Sequence, residues 1–136
     1  MPHNRAPKIG AKWYLPRNEY RYVVAFCMTY KDLRQKLQNL NGWHSHELDG
    51  MPRGSGMGDP TQREAMERVR IQEKIDIIES CVRECAGEDL YRPMLIAVTR
   101  DDMPLWRLKM DFEFEMGSRQ FSNLRRKIYY KISKML

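Results

Sequence analysis

The sequence predicts an all-α protein, a small helical bundle that ends in a helix-turn-helix, with an additional N-terminal helix and a basic arm. Three observations predict it. Apolar residues recur at steps of three and four through three long segments, the period of one buried helix face. Glycine, proline and asparagine stand at the ends of those segments, where helices start and stop. The composition is 42% hydrophobic and 31% charged, which suits a small helical chain with much solvated surface. At 136 residues the chain can bury one modest core.

Residues 1–16 read as a flexible basic arm. Pro2, Pro7, Gly10 and Pro16 discourage regular structure, and Arg5, Lys8 and Lys12 supply charge. Trp13, Tyr14 and Leu15 can pin its end to the body. Residues 17–42 hold the first helix, Arg17 to Leu40. Asn18 is its expected cap, and Tyr20, Val23, Cys27, Tyr30, Leu33, Leu37 and Leu40 are its apolar stripe. Asn41-Gly42 is its expected stop. Residues 43–58 are glycine-rich and read as a tether between this helix and the rest.

A second helix is expected from Pro60 to Cys85. Asp59 can cap it, Pro60 suits a first helical position, and Gln62 completes the spacing of a capping box. Ile71, Ile75, Ile78, Val82 and Cys85 form a seam that wants a partner helix. Ala86-Gly87 stops it. A third helix is expected from Asp89 to Arg100, with Pro93 tolerated near its first turn. A short fourth helix follows Asp101 and Asp102, with Pro104 at its first position and Leu105, Trp106, Leu108 and Met110 on its apolar side. Asp111 to Met116 alternates acidic and apolar residues, a pattern compatible with a turn or with more helix.

The last twenty residues, Gly117 to Leu136, carry the strongest pattern. Phe121, Leu124, Ile128, Ile132 and Met135 fall on one face, and Ser118 stands where an N-cap is expected. The remaining faces hold Arg119, Arg125, Arg126, Lys127, Lys131 and Lys134, and no acidic residue interrupts them. The chain as a whole carries a formal charge of +6. A greasy helix with a purely cationic front docks on a core and faces something anionic, and duplex DNA is the expected anion.

In a helix-turn-helix the second helix enters the major groove through its N-terminal half. With the apolar residues inward, Arg119, Gln120, Ser122, Asn123 and Arg126 are the candidate base readers. Arginine can pair bidentately with guanine, and asparagine or glutamine with adenine. Ser118, Arg125, Lys127, Lys131 and Lys134 are the candidate phosphate contacts, which position without reading sequence.

Gly54-Ser55-Gly56-Met57-Gly58-Asp59-Pro60-Thr61 and the helix holding Ile75-Asp76-Ile77-Ile78-Glu79 resemble a family of small phage and prophage proteins of Gram-positive bacteria. The likeness continues through Ala97-Val98-Thr99, Ser118-Arg119-Gln120-Phe121 and Leu124-Arg125-Arg126-Lys127-Ile128-Tyr129-Tyr130. These proteins resemble RinA-type phage transcriptional regulators and the region-4 helix-turn-helix of bacterial sigma factors. The resemblance spans residues 50–136 and implies an all-helical, sequence-specific DNA binder acting on phage gene transcription, with residues 59–136 as its helix-turn-helix domain. It implies no catalytic residue. One departure stands out: sigma-like turns commonly carry a glycine, and residues 101–116 contain none.

Other chemistries are poorly served. Cys81 and Cys85 lie one turn apart inside a helix, unlike the knuckles of structural zinc sites, and His44 and His46 fall in the tether. No metal or other cofactor is expected. The linker glycines lack the lysine and hydroxyl residue of a phosphate loop, and no nucleophile stands beside a base, so an enzyme is not expected. Three cysteines, an odd count, and no signal-peptide pattern predict a reducing cytoplasm, which the resemblance implies is that of a bacterial host. No apolar run reaches the roughly 20 residues that span a bilayer. Two alternatives use the same charges: docking of the basic helix on RNA polymerase or another acidic partner, and a phage packaging protein that recognises DNA as a homo-oligomer. Met103, Met110 and Met116 with Trp106, Phe112 and Phe114 are either a docking surface or packing under the last helix.

Overall fold

The computed structural model describes residues 6–47 and 60–136, with side chains given for 6–40 and 61–136. The described chain is all-α. Its helices are α1 (Arg17–Met28), α2 (Tyr30–Glu47), α3 (Pro60–Thr99), α4 (Leu105–Phe112) and α5 (Ser118–Met135). The chain falls into two compact units. One comprises Met1–Tyr30 with Ile77–Leu136, and the other Lys31–Asp76. Composition alone places the boundaries elsewhere, at the tether.

The first expected helix is two. At Thr29 the backbone takes φ −80° and ψ −5°, and its N–H donates to the carbonyl of Phe26 at 3.1 Å. The Thr29 hydroxyl donates to the same carbonyl at 2.6 Å. A threonine bonding its own preceding turn competes with the helix ladder, and the ladder breaks there. Helix α2 then runs through Asn41-Gly42 to Glu47, so residues 43–47 are helical and the expected stop is not used. Glycine permits the left-handed conformation without enforcing it, and costs a helix interior only about 1 kcal/mol. The rest of the tether, 48–58, and the proposed cap Asp59 lie outside the described residues.

Gly87 does break the long helix α3. It adopts φ 78° and ψ 173°, a conformation open to glycine at little cost. Across the break, Arg83 pairs with Glu88 at 2.8 Å and lays its guanidinium over the Tyr91 ring at 4.1 Å. Both contacts hold the bend from outside. Pro93 lies six residues after Gly87, past the first turn expected for it, and its ring removes the N–H that would donate to the Asp89 carbonyl.

Cap positions shift by one or two residues from expectation. Pro16, not Asn18, precedes α1, Pro104 precedes α4 and Gly117 precedes α5, none with a side-chain cap. Prolines fix φ near the value a helix start needs, so they take the boundary themselves.

The larger unit is built around α5. Its buried residues are Phe121, Arg125, Ile128, Tyr129 and Ile132. They pack with Leu15, Tyr20, Val23 and Cys27 from the arm and α1, with Ile78, Cys81, Val82, Met94, Ala97 and Val98 from α3, and with Leu108 and Met116. Tyr129 is central: its hydroxyl donates to the carbonyl of Val98 at 3.0 Å, and its ring meets Tyr20 edge-on at 5.6 Å. Val98 lies in the last turn of α3, where carbonyls lack an intrahelical donor. Nearby, the Tyr30 hydroxyl donates to the Glu79 carboxylate. The described part of the arm makes contacts with the body and within itself. Leu15 and Pro7 are buried, and the chain turns between Lys8 and Tyr14 through hydrogen bonds of 3.0 and 3.2 Å. In the smaller unit only Leu33, Ile71 and Ile75 are buried hydrophobics among the described side chains.

Burial also sets a pH dependence. Desolvation pushes the Cys81 thiol up to about 11 and the Tyr20 phenol up to about 12, the latter against the pull of the Arg125 and Arg126 charges. Both groups are held neutral in the fold, whereas the unfolded chain ionises them near pH 9 and 10. Their contribution is therefore complete below pH 9 and is lost as pH rises, between about 9 and 11 for Cys81 and about 10 and 12 for Tyr20. Thermal melts against pH should show the melting temperature falling above pH 9. Cys81→Ala removes the first part of that fall and Tyr20→Phe the second. A wild-type profile that stays level to pH 12 contradicts the assignment.

Candidate nucleic-acid interface

Helix α5 presents the sequence-predicted residues unevenly. Arg119, Gln120 and Asn123 are exposed along its first two turns, and Ser122 and Arg126 are half-buried. Ser118 is exposed but occupies the first helical position rather than the cap, since Gly117 precedes the helix. The amide of Phe121 bonds the Gly117 carbonyl at 2.9 Å, which closes the first turn. Arg126 lies close enough to Tyr20 for its charge to favour the phenolate.

Arg125 is not displayed. It is only 7% exposed, on the same side as Ile128, Tyr129 and Ile132, with its guanidinium over the Phe121 ring at 5.1 Å. Burial pulls its pKa down, while the hydroxyls of Tyr129 and Tyr20 act in the opposite direction. It was expected among the phosphate contacts because arginine is seldom buried, and a long side chain can instead lie along the core it borders. Leu124 is half-buried and Met135 exposed, so the buried stripe is rotated toward Arg125 and Tyr129.

The later lysines are each engaged. Lys131 approaches Glu84 of α3 at 3.4 Å. Lys127 stands over the Trp13 ring at 5.5 Å, and Lys134 over Tyr130 at 4.8 Å. Trp13 itself packs against Tyr130 at 5.5 Å.

The connection before α5 resolves the acidic segment. Helix α4 continues to Phe112, and Glu113 then takes the left-handed conformation, φ 52° and ψ 58°. Its N–H donates to the carbonyl of Lys109 at 2.9 Å, so it ends the helix as a glycine would. Residues 113–117 are not helical. Asp111, Glu113 and Glu115 are exposed, Phe112 and Phe114 half-buried, and Met116 buried. Packing thus takes Met116, whereas Trp106 at 64% and Met110 at 71% exposure lie one turn apart on the outer face of α4.

Two further surfaces bear on chemistry. Cys27 and Cys81 are buried and Cys85 half-buried, and burial raises all three thiols, which keeps them protonated and unreactive. Among the described residues no three His, Cys, Asp or Glu side chains are grouped to hold a metal ion. The side chains of His44 and His46 lie outside the described residues. In the smaller unit, Lys36, Arg63, Arg70 and Lys74 line a groove of about 510 Å³ with Leu33, Ile71, Met66 and Glu67. The sequence reading passed over this groove, because its cations are separated along two helices and each looks like ordinary solvation.

Two outcomes test this geometry. Glu113→Gly relieves a left-handed conformation that costs a side-chain-bearing residue about 1–2 kcal/mol, partly offset by a freer unfolded chain. It should raise stability by about 0.5–1 kcal/mol in urea unfolding; a loss contradicts the backbone assignment. Arg125→Ala should cost about 1–3 kcal/mol of stability, the range for disturbed core packing. Any polyanion affinity of the folded variant should stay within about twofold of wild type, since so small a change is under 0.5 kcal/mol. Among the described residues no helix is long and apolar enough to cross a membrane. No family model, curated protein or solved structure matches the chain.

Proposed function

We propose that the chain is a sequence-specific duplex DNA-binding protein that regulates transcription of phage or prophage genes, with α4 and α5 as its helix-turn-helix. The observation that carries the reading is α5 itself. One side is fixed in the core, and the other is an acid-free surface that begins with exposed Arg119, Gln120 and Asn123. Those residue types suit base edges, and their place at the start of the helix suits a groove-entering end. The five-residue connection, with a left-handed residue ending α4, is compatible with the resemblance to RinA-type regulators and sigma region 4. A bacterial cytoplasm is the compartment that goes with it.

Selection of bound duplexes from a random pool should return a defined site. Arg119→Ala and Asn123→Ala should each relax preference at particular base pairs, at about 1–3 kcal/mol per lost contact. Recovery of random sequence, or preferences unmoved by both substitutions, would count against the proposal. The alternative is that the same basic helix docks on RNA polymerase or another acidic protein. It gains support if purified RNA polymerase retains the protein stoichiometrically while a mobility shift shows no duplex affinity.

A further inference from the structure

The described arm adds Lys12 to a second group of cations on α5. Lys12 stands over the Trp13 ring at 5.3 Å and Lys127 over the same ring at 5.5 Å. Trp13 packs on Tyr130, which in turn carries Lys134 at 4.8 Å. Three ammonium groups therefore gather around two touching rings. No carboxylate pairs with Lys12, Lys127 or Lys134 among the described residues.

Such a cluster is costly unless something outside offsets it. Lys12 and Lys127 share one ring, so they lie within about a Debye length of each other at 0.1 M salt, and their repulsion is poorly screened. Each exposed cation–π contact returns only about 0.5–1 kcal/mol. The arrangement is also built rather than accidental. Buried Leu15 and Pro7 anchor the arm, and its turn from Lys8 to Tyr14 delivers Trp13 to the helix.

Position along the helix indicates the kind of anion this face suits. From Arg119 the residues Asn123, Lys127, Tyr130 and Lys134 follow at steps of four, four, three and four, one continuous stripe on a helix. The candidate base readers occupy its start and the aromatic cluster its end. Arg119 and Lys134 are about 22 Å apart along the axis at 1.5 Å per residue. The major groove is only about 8.5 Å deep. A helix that enters the groove with its N-terminal end first therefore brings its far end out to the backbone at the rim.

We infer that Lys12, Lys127 and Lys134, gathered around Trp13 and Tyr130, form a site for the DNA sugar-phosphate backbone beside the groove. Trp13 is a positioning residue that latches the arm and so brings Lys12 to the phosphates. This inference rests on the duplex-binding reading and adds to it a second contact, made by a segment outside the helix-turn-helix.

The test is the salt dependence of duplex affinity, with the full chain. Each lost phosphate contact lowers the slope of log affinity against log salt by about 0.9. Lys12→Ala should lower the slope by about that amount and weaken all sequences alike. Trp13→Ala should reproduce the loss, Trp13→Phe should retain most of the wild-type slope, and the double variant Lys12→Ala/Trp13→Ala should lose little more than either alone. Melting curves on each variant establish that the fold persists, and Lys12→Glu, at an exposed position, provides a second readout of the same site. A wild type that binds duplex, with Lys12→Ala and Lys12→Glu at the wild-type slope, overturns the backbone site and leaves the base-reading proposal standing. A wild type without duplex affinity at low salt overturns both. Tighter binding to a single strand than to duplex, lost in Trp13→Ala, overturns the phosphate assignment in favour of base stacking on the rings.

Discussion

Tyr129 is where the segments of the larger unit meet. It is fully buried, its hydroxyl closes the last turn of α3 at Val98, and its ring sets its edge against Tyr20 of α1. A rigid aromatic with one polar atom is exacting in a way that an aliphatic stripe is not. Its ring must fill one space and its hydroxyl must reach one acceptor, or a buried polar group goes unpaired. That requirement fixes the rotation of α5 about its axis. The rotation turns Arg125 inward and leaves Arg119, Asn123, Lys127 and Lys134 on the opposite side.

The same contact ties distant parts of the sequence into one body. Residues before Lys31 and after Asp76 form the larger unit, although the composition breaks at the glycine-rich stretch between 43 and 58. Each of α1, α3 and α5 brings a narrow apolar stripe, and none can bury it alone. The smaller unit has far less to hold it, with Leu33, Ile71 and Ile75 as its buried hydrophobics among the described side chains. Local opening should therefore begin in the smaller unit, since few buried contacts mean a low free energy of opening.

Periodicity made the helices legible, and with them the all-α class. The break at Gly87 and the start at Pro60 were readable because each residue has a backbone preference of its own. Asn41-Gly42 misled for the converse reason: both residues tolerate a helix end, and tolerance is not a stop signal. Thr29 gave no sequence signal, because its hydrogen bond to Phe26 belongs to a single turn. Exposure of Arg119, Gln120 and Asn123 followed from placing Phe121 and Ile128 inward. Arg125 did not follow, since a helical wheel ranks residues by polarity and cannot see a guanidinium laid over Phe121 beside two tyrosines. The contact of the arm with α5 was hidden too. Trp13 and Lys127 are far apart in sequence, and only the fold brings them to the same place.

The acidic turn, which conflicts with a DNA face in the sequence, has a physical place in the structure. Asp111, Glu113 and Glu115 precede α5, whose first turn holds no acidic residue and whose start has no side-chain cap. Negative charge within about a turn of a helix N-terminus complements the exposed amide dipoles, by about 0.3–1 kcal/mol at a surface. Glu115 holds that place, whereas Asp111 in the last turn of α4 opposes the dipole of that helix. The turn thus supplies by charge part of what a capping side chain supplies by hydrogen bonding. Within the proposed function it has a second consequence. Carboxylates beside the reading end repel phosphate wherever the protein lands, on any sequence, whereas base contacts from Arg119 and Asn123 form only on the right one. A repulsion common to all sites lowers non-specific affinity and leaves the difference between sites intact. A backbone contact placed at the far end of α5, away from the acids, restores affinity without touching that discrimination. Under that proposal, the division of one helix into a discriminating end and a holding end follows from where the acidic turn stops and where the arm is latched.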